Sequence, residues 1–186
     1  MKNLMLLFCI GLFSFTSISQ NKKVTVGDFA YGGIVFYVDE SGEHGLVCSK
    51  VDVGENVKWV ERKVIRKNNR LSNNMTTNKS LFGSKNKVKQ DFFASQLCEN
   101  FEVTEEGKKY NDWYLPTKEE LNLMYLQKEK INETSLANQG KAFGKTYYWA
   151  STEEDFTRAW TQYFYNGKQI DTYKKYKHNV RAIRAF

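Results

Sequence analysis

Proline, histidine and cysteine are scarce in this 186-residue chain, which contains one proline, two histidines and three cysteines. One proline with 12 glycines and 15% aromatic residues is typical of a folded chain and excludes a low-complexity or disordered one. Neither His44 nor His178 has a second metal ligand at helical or hairpin spacing, so no zinc-type site is indicated. His44 is better explained as a turn or strand residue than as a catalytic base. We therefore expect no cofactor and no enzymatic activity.

Long apolar runs are absent beyond the amino-terminal segment. There, Lys2 precedes an apolar run at 4–13, which is followed by small and polar residues up to Gln20. This order is typical of a secretory signal peptide, and the run is shorter than the roughly 20 residues of a membrane span. We expect cleavage near Ser19 and export to the periplasm, the cell surface or the medium. A transmembrane anchor and lipidation of Cys9 are the less favoured alternatives.

The remaining chain suits one domain. We expect a signal peptide at 1–19, a short segment at 20–26 and a single domain at 27–186. Two cysteines, Cys48 and Cys98, lie in this part. An even pair in an exported protein is a disulfide candidate, but each cysteine also lies in an apolar pattern and would pack equally well as a free thiol.

Local patterns predict an α+β domain with two helices between largely antiparallel strands. A β-branched and aromatic run at 32–39 and a second run at 44–49, joined by a glycine-containing turn, predict a hairpin. Apolar residues recur at helical spacing over 88–101, and Thr117 with Glu120 has the spacing of a capping box at the start of a second helix. Further strands are predicted at 147–152, 159–164, 169–176 and 180–186.

Positive charge is concentrated between Gly54 and Lys89, where ten basic residues face two acidic ones. This local excess of eight exceeds the charge of about +6 expected for the chain without its signal peptide. Arginine and lysine bind sulfate, phosphate and carboxylate groups through charge and hydrogen bonds. The candidate ligand-binding residues are Trp59, as an exposed aromatic platform, with Arg62, Lys63, Arg66, Lys67 and Arg70. An ordinary solvated loop is the alternative, and Lys174, Lys175 and Lys177 form a second basic cluster that would extend the patch.

Two other groups of residues have simpler explanations. The acidic cluster at 153–155 could supply oxygen ligands to calcium, but a charged loop tip is the favoured interpretation. Trp113, Trp149 and Trp160 each lie in a segment whose pattern predicts packing, so we expect them in the core.

Four segments together resemble the Lcl C-terminal domain family, a bacterial family. They are 32–37 with 44–47, then 112–121 (DWYLPTKEEL), then 148–153 (YWASTE), and 180–186 (VRAIRAF). The similarity runs from about Gly27 to Phe186. It implies a fold related to C-type lectin-like domains, in which both ends of the chain meet in one sheet. The family's founding example belongs to a collagen-like adhesin associated with sulfated polysaccharides. This chain has no collagen-like repeat, so adhesion through such a stalk is not implied.

The leading hypothesis is an exported, non-catalytic binding module for an anionic glycan or cell-surface polymer. The alternative is a structural domain of the cell envelope that pairs with a protein partner or with itself. Export argues against nucleic acid as the ligand, and no membrane span is expected in the domain.

Overall fold

The computed structural model describes residues 23–60 and 93–186. The first part contains four strands, β1 (Phe29–Ala30), β2 (Gly33–Val38), β3 (Gly45–Cys48) and β4 (Gly54–Lys58). The second part begins with α1 (Ala94–Glu99), the strands β5 (Val103–Glu105) and β6 (Lys108–Tyr110), and the helices α2 (Lys118–Leu126) and α3 (Lys128–Ala137). It ends with β7 (Tyr147–Glu153), β8 (Arg158–Tyr163), β9 (Gln169–Tyr173), β10 (Lys177–Val180) and β11 (Ile183–Ala185).

The strands form two larger sheets and one hairpin. The four-stranded sheet has the order β1-β2-β3-β11 and is antiparallel throughout. The five-stranded sheet has the order β4-β10-β7-β8-β9, and only its β10–β7 pair is parallel. β5 and β6 form the separate hairpin. The predicted α+β class is therefore confirmed.

The first hairpin forms where the sequence predicts it, because its turn is locally bonded. The Asp39 carboxylate accepts hydrogen bonds from the Gly42 amide at 2.9 Å and from the Ser41 hydroxyl at 2.6 Å. Gly42 has a φ of +75°, a conformation that side chains disfavour. These bonds lower the pKa of Asp39, with the Ser41 hydroxyl the largest cause.

The start of α2 is fixed by the predicted capping box. Thr117 Oγ1 accepts from the Glu120 amide at 3.2 Å, and Glu120 Oε2 accepts from the Thr117 amide at 2.8 Å. The Lys118 amide also donates to Thr152 Oγ1 of β7 at 2.9 Å. The cap therefore anchors the helix to the five-stranded sheet as well as beginning it.

Three predictions about elements need correction. The described part of the chain has a third helix, α3, which was not predicted. Its buried residues are Ile131 and Ser135, and these give only a weak periodic signal in the sequence. β4 and the β5–β6 hairpin were not predicted. The expected strand at 180–186 is interrupted, since Arg181 and Ala182 separate β10 from β11.

Two clusters of buried residues make up the core. One surrounds Trp113 and Trp149, and the other joins Ile34 and Phe36 of β2 to Leu121 and other residues of α2 and α3. Within residues 23–60 and 93–186, no helix has the length and apolar character that a membrane crossing requires.

Candidate ligand-binding surface

Two neighbouring turns at one end of the five-stranded sheet carry exposed aromatic side chains. Phe156 in the β7–β8 turn is 53% exposed, and Tyr173 and Tyr176 at the β9–β10 turn are 42% and 49% exposed. With the exposed cations Arg158 and Lys175, these residues are called the aromatic–basic patch below. Contiguous exposed apolar surface marks a candidate binding site, whereas single exposed rings do not.

Local hydrogen bonds hold the β7–β8 turn. Asp155 Oδ1 accepts from the Thr157 amide at 2.6 Å, from the Arg158 amide at 2.8 Å and from the Thr157 hydroxyl at 2.9 Å. These bonds, led by the Thr157 amide, lower the pKa of Asp155. The turn therefore presents Phe156 from a defined backbone.

The two tyrosines and the two cations of the patch contact one another. The Tyr173 and Tyr176 rings meet edge to face, with centroids 5.7 Å apart. Arg158 Cζ lies 5.1 Å from the Tyr173 centroid, and Lys175 Nζ lies 5.3 Å and 5.6 Å from the two tyrosine centroids. Arg158 also pairs with Asp171 at 2.8 Å. Lys175 is thus the cation of the patch that is held by rings and not by a carboxylate among the contacts described.

Lys174 does not extend the basic surface, contrary to the prediction. Its side chain is buried, and Nζ lies 2.6 Å from Glu153 Oε2. Lys175 and Lys177 are exposed. In the strand register, Lys177 of β10 lies opposite Lys58 of β4. The second basic cluster is therefore divided between two surface cations and one buried cation.

Trp59 is a core residue and not the exposed platform that the sequence suggested. It is 5% exposed, and its Nε1 donates to the Ala150 carbonyl at 2.8 Å. Its amide donates to the Lys174 carbonyl at 3.1 Å, which places the end of β4 beside the β9–β10 turn. The ring is buried because strand pairing directs it under Lys174, whose Nζ lies 4.6 Å from its centroid. The other predicted ligand residues lie outside the described part of the chain: Arg62, Lys63, Arg66, Lys67 and Arg70.

The acidic cluster at 153–155 is occupied by protein partners. Glu153 pairs with Lys174, Glu154 Oε2 accepts from Trp160 Nε1 at 2.8 Å, and Asp155 holds its own turn. Among the described residues, no group of three or more histidine, cysteine or acidic side chains could hold a metal ion. The charged loop tip is therefore the better interpretation of this cluster.

The tryptophans expected in the core divide into two kinds. Trp113 and Trp149 are 2% and 0% exposed. Trp160 is only partly buried, with Lys118 Nζ 3.1 Å from its centroid. Its indole therefore lies at the surface, between the amino-terminal end of α2 and the β7–β8 turn.

Both cysteines are free thiols, so the structure supports packing over the disulfide alternative. Cys98 belongs to the cluster around Trp113, whereas Cys48 belongs to the cluster beneath α2. Burial raises the pKa of Cys48 to about 12 and that of Cys98 well above its ordinary value. Neither thiol has the character of a nucleophile.

The two carboxyl-terminal arginines, Arg181 and Arg184, are buried, which the sequence did not predict. Arg181 Nε lies 2.9 Å from Asp52 Oδ1, and its guanidinium donates to the Ser49 and Lys141 carbonyls, each at 2.9 Å. Burial raises the pKa of Asp52, and the Arg181 charge opposes this shift.

Arg184 forms a second such pair. Its Nε and Nη2 donate to the two carboxylate oxygens of Asp112 at 2.6 Å and 3.0 Å. The Arg184 hydrogen bond is the largest cause of the lowered pKa of Asp112. No sequence pattern predicts these partners, because each pair joins segments that are far apart in the chain.

His178 lies against aromatic rings in the five-stranded sheet. Its ring centroid is 4.5 Å from that of Trp149 and 5.6 Å from that of Tyr147, and Nε2 is 3.1 Å from Thr172 Oγ1. Burial lowers the pKa of His178 to about 4. The imidazole is therefore neutral near pH 7, and a charged or metal-binding role has no support in its surroundings.

These observations define a small α+β domain with buried ion pairs and with the aromatic–basic patch at two turns of its five-stranded sheet. Residues 51–184 match the Lcl C-terminal domain, and the chain belongs to that family. The match includes α1 to α3 and every strand from β4 to β10, while β1 to β3 lie outside it and share one sheet with β11, which pairs with β3. Comparison with curated proteins finds no match.

Proposed function

We propose that this protein is an exported, non-catalytic binding module that binds an anionic polysaccharide at the aromatic–basic patch. The observation that carries the proposal is the exposure of Phe156, Tyr173 and Tyr176 beside Arg158 and Lys175 on two turns joined by a backbone hydrogen bond. That bond runs from the Lys174 amide to the Thr157 carbonyl at 2.9 Å.

The chemistry of the patch suits a charged sugar polymer. Aromatic faces pack against the apolar faces of pyranose rings, and ammonium and guanidinium groups bind sulfate or carboxylate substituents. The net positive charge, about +6 without the signal peptide, attracts a polyanion from a distance, and salt weakens this attraction.

The position of the patch supports the basic segment as a further contributor. Lys58 and Lys177 are paired neighbours, and the Trp59 amide bonds to the Lys174 carbonyl. The predicted ligand-binding residues at 62–70 begin two positions after Val60 in the sequence. The described chain therefore enters the basic segment beside Lys174 and Lys175.

We also infer that the fold is related to C-type lectin-like domains. Two features support this relation. β11, near the carboxyl-terminal end, joins β1 to β3 in one sheet, and the patch lies on turns of the second sheet. The charged, apolar and small regions in the first 20 residues support export.

Heparin-affinity chromatography of the purified protein tests the proposal, with heparin as a sulfated polysaccharide. We expect Lys175→Glu to elute at clearly lower salt than Lys130→Glu, a control that makes the same charge change on α3. Tyr173→Ala combined with Tyr176→Ala should also lower the eluting salt without any change of charge. Equal elution of the two lysine variants, with no effect of the tyrosine variant, would remove the proposal.

A protein partner is the second candidate function. Leu126 and Leu136, at the ends of α2 and α3, are 63% and 62% exposed and favour a contact through these helices. Light scattering after size exclusion would show an oligomer that Leu126→Glu combined with Leu136→Glu dissociates. A monomer at all concentrations would argue against self-association.

A further inference from the structure

Lys174 lies between two exposed residues of the patch and is itself 4% exposed. We propose that Lys174 is a positioning residue, which holds the two turns of the aromatic–basic patch in the relative placement that ligand binding requires. This inference rests on the proposed function of that patch.

The side chain of Lys174 spans the gap between the turns. Its Nζ donates to Glu153 Oε2 at 2.6 Å, to the Asp155 carbonyl at 2.9 Å and to the Phe156 carbonyl at 3.3 Å. Glu153 ends β7 and the other two acceptors lie in the β7–β8 turn, while Lys174 itself belongs to the β9–β10 turn. The three donor hydrogens of the ammonium group are thus matched by three acceptors.

The main chain of Lys174 adds two further connections. Its amide donates to the Thr157 carbonyl at 2.9 Å, and its carbonyl accepts from the Trp59 amide at 3.1 Å. Because Trp59 is bonded to the Ala150 carbonyl in the core, the two turns are fixed to the body of the domain. One residue therefore joins the β7–β8 turn, the β9–β10 turn and the end of β4.

The surroundings of Lys174 separate positioning from charge attraction. Lysine is rarely this buried unless it is paired, since removing its charge from water is costly. Here Glu153 neutralises the ammonium group, and the Trp59 ring lies 4.6 Å from it. A ligand at the surface would meet Lys175 and Arg158 and not this buried charge.

The test compares heparin affinity, measured by calorimetry, for the wild-type protein, Lys174→Met and the control Lys130→Met, which removes the same charge from α3. In Lys174→Met the two turns are no longer held together, so binding must order them again. Because ordering even one side chain costs about 1 kcal/mol, we expect the heparin affinity of this variant to be about fivefold lower than that of the wild type. Lys130→Met should change the affinity less than about twofold, as expected for one screened surface charge. Lys174→Arg, which keeps a donor group in place, should recover most of the loss.

A second measurement does not depend on the ligand. Amide hydrogen exchange across 153–158 should accelerate in Lys174→Met while exchange in β2 and β3 stays as in the wild type. Wild-type exchange in the turn, or Lys174→Met binding as well as Lys130→Met, would overturn the positioning role. If the wild-type protein itself does not bind heparin, the proposed function fails and this inference fails with it.

Asp155→Ala keeps the inference testable if Lys174→Met does not fold. This variant removes a negative charge, so charge attraction alone would tighten heparin binding. It also removes the acceptor of three bonds in the β7–β8 turn. Positioning therefore predicts weaker binding, and tighter binding would contradict it.

Discussion

His178, which is neutral and partly buried, makes the free energy of unfolding depend on pH between about 4 and 6.5, while the raised pKa of buried Asp52 contributes a slope of opposite sign. The pKa of His178 is lowered to about 4 from an ordinary 6.5 because burial against Trp149 and Tyr147 disfavours the charged ring. The unfolded chain therefore binds more protons than the folded one between these pH values. The contribution of His178 to the free energy of unfolding must therefore fall as the pH falls through that window.

The size of the effect follows from the shift. If the folded and unfolded pKa values of His178 were about 4 and 6.5, the free energy of unfolding would decrease by about 2.5 kcal/mol between pH 7 and pH 4.5, at about 1.4 kcal/mol per pKa unit. Because the ring is only partly buried, water screens it, and we expect about 1 kcal/mol. Asp39, Asp112 and Asp155 have lowered pKa values, so their contributions are lost below this window.

Urea unfolding followed by tryptophan fluorescence, from pH 7 to pH 4.5, measures the slope. His178→Asn keeps a polar group beside Thr172 but cannot titrate, so its free energy of unfolding should vary less with pH than that of the wild type. If His178→Asn keeps the wild-type slope instead, the neutral ring is not the cause and the reasoning is wrong.

Three further predictions concern the fold, and each is measured as a change in urea unfolding. Thr117→Ala removes the cap of α2 and should cost about 1 kcal/mol, whereas Thr117→Ser should cost less; equal losses would argue against the cap. Arg181→Met leaves the Asp52 carboxylate buried without its cation and should cost about 3 to 5 kcal/mol, more than Asp52→Asn combined with Arg181→Met. Gly45→Ala brings a Cβ against the Tyr37 carbonyl oxygen, so it should lower the urea concentration at the unfolding midpoint, and an unchanged midpoint would contradict this close approach.

Local signals in the sequence predicted those elements whose causes are local. The Thr117 cap, the turn at Asp39 and the β-branched run of β2 each depend on residues within a few positions of one another. α3 was missed because its stability comes from packing against β2 and not from a strong periodic pattern.

The candidate site was less predictable because strand pairing decides which side chains are exposed. A run of basic residues next to Trp59 suggested an exposed platform, but pairing of β4 with β10 buries that ring under Lys174. The strand predicted at 180–186 gave no sign that Asp52 and Asp112 hold the Arg181 and Arg184 guanidinium groups in ion pairs. Tyr173 and Tyr176 lie at the end of the strand predicted at 169–176, and only the structure places that end beside the turn that carries Phe156.

The pairing of β11 with β3 sets an order on the folding of the chain. Ile183 lies opposite Cys48, and the other edge of β11 is bonded to Tyr114, so three distant parts of the sequence meet at one short strand. Contacts of such long range are slow to form, because the chain must close a large loop before the strand contributes any stability. The first sheet cannot be completed until residues 183–185 have been synthesised, so β1, β2 and β3 stay without their fourth strand while the whole intervening chain is made.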